Sequence, residues 1–278
     1  MRRLLLALAL TGCGGAPTRT AVVDPALVDE VPEPESGQPA LQYYLVLTAD
    51  AGAMPDKAAV DAMFAAVNGE GARYAAVRNR VKWVPGNYRL GVDLDFADLP
   101  HPAFSADKLA ALLADLPPEV KAKAAQAKLA ITLRSDVTTL PNADHIRLAG
   151  LAALYVADVS QGIIVDLLAR RAWTPDAWQA ELAAGQLGPD QVRLTQRADG
   201  DGTWLLTRGH PKFGAPDVQM RGIAAGQLAA ARARFAEVQH QVQARGAQVG
   251  QRVAGVTLVA CDAPKGMFDG ACVQVPAP

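Results

Sequence analysis

The chain has 278 residues, half of them hydrophobic and a fifth charged, with 27 Lys and Arg against 28 Asp and Glu for a net charge of −1. That is a globular balance rather than a disordered or fibrous one, and it excludes the concentrated cationic field that nucleic-acid binding needs. Beyond the first ten residues no apolar run approaches the roughly 20 residues of a membrane-spanning helix, and residues 41–278 suffice for one large domain or two small ones.

The first thirteen residues read MRRLLLALALTGC. Arg2 and Arg3 make a basic start, Leu4 to Leu10 an apolar stretch, and Leu10-Thr11-Gly12-Cys13 ends with a small residue before a cysteine. This order resembles the signal peptide and lipobox of bacterial lipoproteins. The resemblance implies that residues 1–12 are a signal peptide removed after Gly12, and that Cys13 opens the mature chain carrying a diacylglycerol with palmitate-type chains. It also implies a bacterial cell-envelope protein that touches the membrane through this amino-terminal lipid. Gly14 stands where an aspartate retains many enterobacterial lipoproteins in the inner membrane, so resemblance to that sorting pattern implies the outer membrane, facing the periplasm. Other readings of the same residues are an ordinary secretory signal or an apolar amino-terminal helix, with Cys13 incidental.

Residues 13–40 hold the lipidated cysteine and a Pro-, Gly- and acid-rich run without periodicity, which reads as a flexible tether. Residues 41–185 are expected to form one α+β domain or subdomain and residues 186–278 a second. Leu41 to Thr48 reads as a buried strand, and Pro55-Asp56 starts a helix carrying Val60, Phe64 and Val67. Val81–Val84 and Tyr88–Phe96 read as strands joined by a turn at 84–87. Ser105 caps a helix with Leu109, Leu112, Leu113 and Leu116 on one face, ended by Pro117-Pro118, and Leu129–Leu133 returns as a strand. The resulting β-α-β-β-α-β order is that of a ferredoxin-like split βαβ unit.

A mostly buried helix follows over Ile146 to Tyr155, then a strand over Gly162–Leu168. Thr174-Pro175-Asp176 starts a helix with a cap residue, an N1 proline and a first-turn acid. Gln191–Gln196 and Thr203–Arg208 form a hairpin around Asp199-Gly200-Asp201-Gly202. A long amphipathic helix over about 224–245 carries Leu228, Ala231, Phe235, Val238 and Val242, and strands at 252–260 and 271–275 close the chain. If Cys13 is lipidated, Cys261 and Cys272 are left as a pair, and export supplies an oxidising compartment. A disulfide there would add about 2–3 kcal/mol by restricting the unfolded chain; the alternative is two unpaired thiols. The spacing and the lack of a nearby histidine disfavour zinc.

Catalytic signals are sparse. None of the four serines sits in a G-x-S-x-G frame, the histidines His101, His145, His210 and His240 are scattered without H-E-x-x-H, and no phosphate-binding glycine loop occurs. Asp144-His145 reads as a solvated pair, His240 as a surface residue, and Asp199 and Asp201 as turn residues rather than a calcium loop. No cofactor and no metal are expected. Two segments stand apart: Arg208–Asp217, crowded with glycine, proline and charge, and Asp166–Trp178, with two arginines and two tryptophans. Both loosely resemble segments of uncharacterised bacterial α+β domains, which implies a fold and no activity. Trp173 and Trp178 serve either to staple a helix to the sheet or to line a ligand groove. The residues of a possible ligand site are Arg170, Arg171, His210, Lys212 and Asp217.

The sequence thus reads as a lipid-anchored, non-catalytic α+β protein that binds a ligand or an envelope protein partner, with no nucleic acid. The alternative is a periplasmic enzyme whose carboxylate/His site is assembled by folding, for instance Asp166 with His210. Convergence of the two in a cleft would favour catalysis.

Overall fold

Leu41-Gln-Tyr-Tyr-Leu-Val-Leu47 is apolar or aromatic at every position but Gln42, a pattern suited to a strand covered on both faces. In the computed structural model, which describes residues 3–9, 39–50, 72–82, 89–113, 117–187, 191–261 and 272–277, this run lies inside strand β2 (Pro39–Thr48). Side chains alternate across it. Tyr44 and Val46 enter one buried cluster, Leu45 and Leu47 another.

The protein has an α+β fold with two main sheets. In the first, β1 (Arg3–Ala9), β3 (Arg89–Asp98), β4 (Leu129–Thr138), β2, β5 (Ile163–Asp166) and β6 (Arg171–Trp173) lie side by side in that order, each antiparallel to its neighbour. Among the described residues its helices are α1 (Ala72–Arg78), α2 (Ala106–Leu112), α3 (Pro118–Ala125), α4 (Asp144–Ser160) and α5 (Pro175–Ala183). Helices α1, α4 and α5 contribute to the cluster on one face, where Leu151 and Leu154 of α4 are fully buried with Tyr44, Ile131 and Trp178. The opposite face meets α2 and α3 around Leu113, Ala124, Leu45 and Val165.

The second sheet runs β12 (Val259–Ala260), β13 (Cys272–Gln274), β9 (Asp217–Ile223), β8 (Gly202–Arg208), β7 (Arg193–Asp199). Among its described strands only β13 and β9 pair in parallel. Helix α6 (Leu228–Arg245) covers it, burying Ala231, Phe235, Val238 and Val242, the stripe expected from its spacing. A small ribbon, β10 (Arg252–Val253) with β11 (Val256–Thr257), flanks it. Cys261 and Cys272 lie at disulfide-bonding distance, their Cα atoms 5.9 Å apart. No described helix is long and apolar enough to cross a membrane.

Three local expectations need correction. A ferredoxin-like sheet would put the strand at 41–48 beside the one at 88–96; instead β4 lies between them, and β5 takes the other flank of β2. Val81 and Lys82 are not in a strand, while residues 83–88 lie outside the described residues, as does the helix expected from Pro55. The helix after Ser105 stops at Leu112, with Leu116 outside the described residues, but Pro117-Pro118 also make an unexpected start: Pro118 occupies the first position of α3, where its missing N–H is no loss. The start of α5 follows its expectation fully, the Thr174 hydroxyl accepting from the Ala177 N–H at 3.2 Å.

Candidate functional site: a sealed polar junction and an open apolar pocket

Asp166 ends β5 opposite Tyr44 of β2. One of its carboxylate oxygens accepts from the Leu168 and Ala169 N–H groups at 3.0 and 2.9 Å, closing an Asx turn. The other receives the Lys212 ammonium at 2.5 Å, and Lys212 donates also to Gln191 Oε1 at 2.7 Å. Lys212 is 0% exposed and Asp166 1%, so this ion pair is sealed from solvent. It joins the second half of the chain to the first.

The backbone of Lys212 is gripped as well. Its carbonyl accepts from Gln42 Nε2 at 3.1 Å and lies 2.7 Å from His145 Nε2. Because His145 Nδ1 accepts the Leu140 N–H at 3.0 Å, the ring proton belongs on Nε2, which donates to that carbonyl. Burial lowers the pKa of His145 against smaller opposing contributions from these hydrogen bonds and Asp144. The expected solvated Asp144-His145 pair is thus corrected: both are buried, with Asp144 accepting the Lys82 N–H at 2.8 Å and lying 3.4 Å from Arg147. Arg147, 2% exposed, is tied to the carbonyls of Asn142, Leu182 and Ala184.

The segment carrying Lys212 is shaped by two glycines. Gly209 has φ 111°, and a Cβ there would lie 2.3 Å from the Gln191 carbonyl oxygen; Gly214 has φ 72°. Between them His210–Phe213 makes one 3-10 turn with Pro211 near its start. His210 is fully buried and faces Thr207 and the Pro216 carbonyl through Nδ1, at 3.3 and 3.2 Å. Desolvation pushes its pKa down to about 4, so the ring is neutral near pH 7. Its Nε2 has no hydrogen-bond partner among the described residues. Asp217 accepts the His210 N–H at 3.2 Å.

Of the five candidate ligand residues, His210 and Asp217 meet around Thr207 while the Lys212 side chain turns to Asp166 and Gln191, all three in the interior. Arg170 turns the chain at φ 52° and offers its carbonyl to Arg193, and Arg171 stacks 4.7 Å over the Trp173 ring. Trp173 and Trp178 are buried in the first core, and Trp178 donates to the Gly150 carbonyl. Asp166 meets Lys212 rather than His210. A ligand could touch His210, Lys212 or Asp217 only if the junction opened. Gln42 and Gln191 complete it; Gln42 stands out only as a polar residue in an apolar run, and Gln191, between Asp190 and Val192-Arg193, carries no sequence signal. Asp199 of the hairpin is engaged by Arg221 at 2.6 Å and the Gly222 N–H at 3.0 Å, which lower its pKa. No cluster of three metal-ligating side chains occurs among the described residues.

Space for a ligand lies elsewhere. A pocket of about 600 Å³ opens between α2, α3 and the chain leaving β3, with Leu99, Phe104, Leu109, Leu113 and Ala124 in its wall and Lys121 as the charged residue among the described residues of that wall. No protein-family model matches this chain, and neither does any curated protein or solved structure.

Proposed function

We propose that the chain is a lipid-anchored protein of the bacterial envelope, facing the periplasm from the outer membrane, that binds a ligand or a protein partner rather than catalysing a reaction. The observation that carries the reading is the order of the first thirteen residues: two arginines, an apolar stretch, then Gly12-Cys13. The bonding distance between Cys261 and Cys272 supports an oxidising compartment. The burial of the His210, Lys212 and Asp217 side chains supports a role in holding the fold over one in turnover. Cleavage after Gly12 would also remove β1, whose seven residues pair with β3 from Arg3↔Asp95 to Ala9↔Arg89. The β3 edge then stands open for a partner's strand.

That pairing favours one other reading, in which residues 3–9 stay in place as the edge strand of an uncleaved protein. Intact mass measurement on protein recovered from membranes and from the soluble fraction separates the two. The anchor predicts a chain beginning at an acylated Cys13 that partitions into detergent, with Cys13→Ser abolishing both acylation and partitioning. An unmodified chain retaining Met1 in the soluble fraction overturns it.

A further inference from the structure

The two helical layers on the first sheet are built unequally. Helix α4 buries fourteen of its seventeen residues, whereas α2 buries none of its seven. Apolar helices ordinarily close on the sheet until such space disappears, because every void forfeits dispersion contacts. Here the wall side chains from the helices are mostly alanines, Ala106, Ala110, Ala124 and Ala125 among them, too short to fill the gap. Its volume of about 600 Å³ falls among small-molecule sites of roughly 300–1,000 Å³.

The chemistry of the wall narrows the occupant. Leu99, Phe104, Leu109 and Leu113 present hydrocarbon, and among the described residues Lys121 is the one charged side chain in the lining. Lys121 is exposed, so its stem can lie along the apolar wall with the ammonium at the mouth in water. Lys108, the nearest cation on α2, is turned to the Pro102 carbonyl. The acids of these helices, Asp107 and Glu119, sit in first turns and do not line the pocket. A nucleotide or sugar would bring many hydrogen-bonding groups to a wall that is mostly hydrocarbon. A cationic amphiphile would meet Lys121 with like charge.

We propose that this pocket binds a straight-chain aliphatic monocarboxylate, its hydrocarbon between α2 and α3 and its carboxylate at Lys121. The site does not depend on the anchor reading and would be present in an exported or a retained chain. Affinity should rise about fourfold per methylene buried, from the transfer free energy of a CH₂, and level off once the chain fills the space. The exposed ion pair contributes less, about two- to fivefold, and sets the orientation.

The test uses the full chain carrying Cys13→Ser, so that no lipid of its own competes. Fluorescent cis-parinarate is bound and displaced with hexanoate, decanoate, laurate and dodecanol. The expected result is probe binding, displacement that strengthens with chain length, and a loss of roughly five- to tenfold for laurate but not dodecanol in Lys121→Glu, from attraction replaced by repulsion. Ala110→Trp, on an exposed position of the wall, should abolish binding of both while the thermal transition is kept; Ala106→Trp replaces it if that variant fails to fold. Phosphatidylglycerol vesicles that displace no probe identify a free acid as the occupant, and displacement by vesicles with none by laurate overturns it. Absence of probe binding, or binding that Lys121→Glu and both tryptophan variants leave unchanged, overturns the site. An equal loss for laurate and dodecanol in Lys121→Glu overturns the carboxylate.

Discussion

The polar junction and the apolar pocket are both built on the first sheet, and they invert what their compositions suggest. The junction gathers a lysine, an aspartate, a histidine and two glutamines, the residue types from which sites are made, and uses them on one another, sealed from solvent. The pocket is lined by leucine, phenylalanine and alanine, the residue types from which cores are made, and is left unfilled. Polar side chains mark where buried groups must be compensated; a ligand's place is marked by atoms that are missing.

The largest effect should come from taking the junction apart. Lys212→Met removes the cation from a carboxylate that is 1% exposed, and breaking a buried pair in this way costs about 3–5 kcal/mol. Urea denaturation should show a lower midpoint with an unchanged slope. A loss below about 1 kcal/mol, the level of an exposed ion pair, would mean that solvent reaches Asp166 and that the junction is not sealed.

A second effect, of about 3 kcal/mol at most, is expected from pH. His210 has a folded pKa of about 4 against 6.5 for the free side chain, through burial. The unfolded chain therefore binds the extra proton first. The contribution of the neutral ring is fully present above pH 6.5 and is lost as pH falls towards 4, with His145 shifted in the same direction. Asp199, lowered by Arg221 and Gly222, acts in a separate window below its ordinary 3.8. The urea midpoint of the native chain should fall more steeply between pH 7 and 4.5 than that of His210→Gln. Parallel profiles would place His210 in contact with water and undo the comparison from the junction's side.

How far the sequence carries this picture differs by region. Thr174-Pro175-Asp176, the hairpin around Asp199–Gly202 and the stripe of α6 are legible because each is set within a few residues, by a cap, a turn or a repeat. The class of fold is legible for the same reason. Strand order is not, since nothing within β4 says that it will lie between β2 and β3 rather than beyond them. Arg208–Asp217 announces itself as a segment too crowded with glycine, proline and charge for a plain loop, yet its inward direction depends on Asp166, 46 positions from Lys212. Asp144-His145 reads as solvated because neither Arg147 nor the Lys82 N–H is recognisable in advance as its partner. The pocket has no signal at all: Leu109, Leu112 and Leu113 look like an ordinary buried face, and Pro117-Pro118 hides the second helix that makes its other wall.

The smallest expected effect, that of Leu109→Ala, gives the sharpest comparison of a packed wall with an unpacked one. Leu151 is fully buried in α4, and Leu151→Ala should cost about 2–5 kcal/mol from lost transfer energy and the cavity left behind. Leu109 is half-buried and already faces open space, so Leu109→Ala loses little packing and should cost about 1 kcal/mol or less. Equal costs would show that α2 closes onto the sheet in solution and leaves no pocket. With laurate present the ranking should narrow, because a ligand that binds only the folded state stabilises the native chain by mass action. Leu109→Ala, with a weaker apolar wall, gains less from laurate, so its penalty grows with ligand concentration while that of Leu151→Ala stays constant.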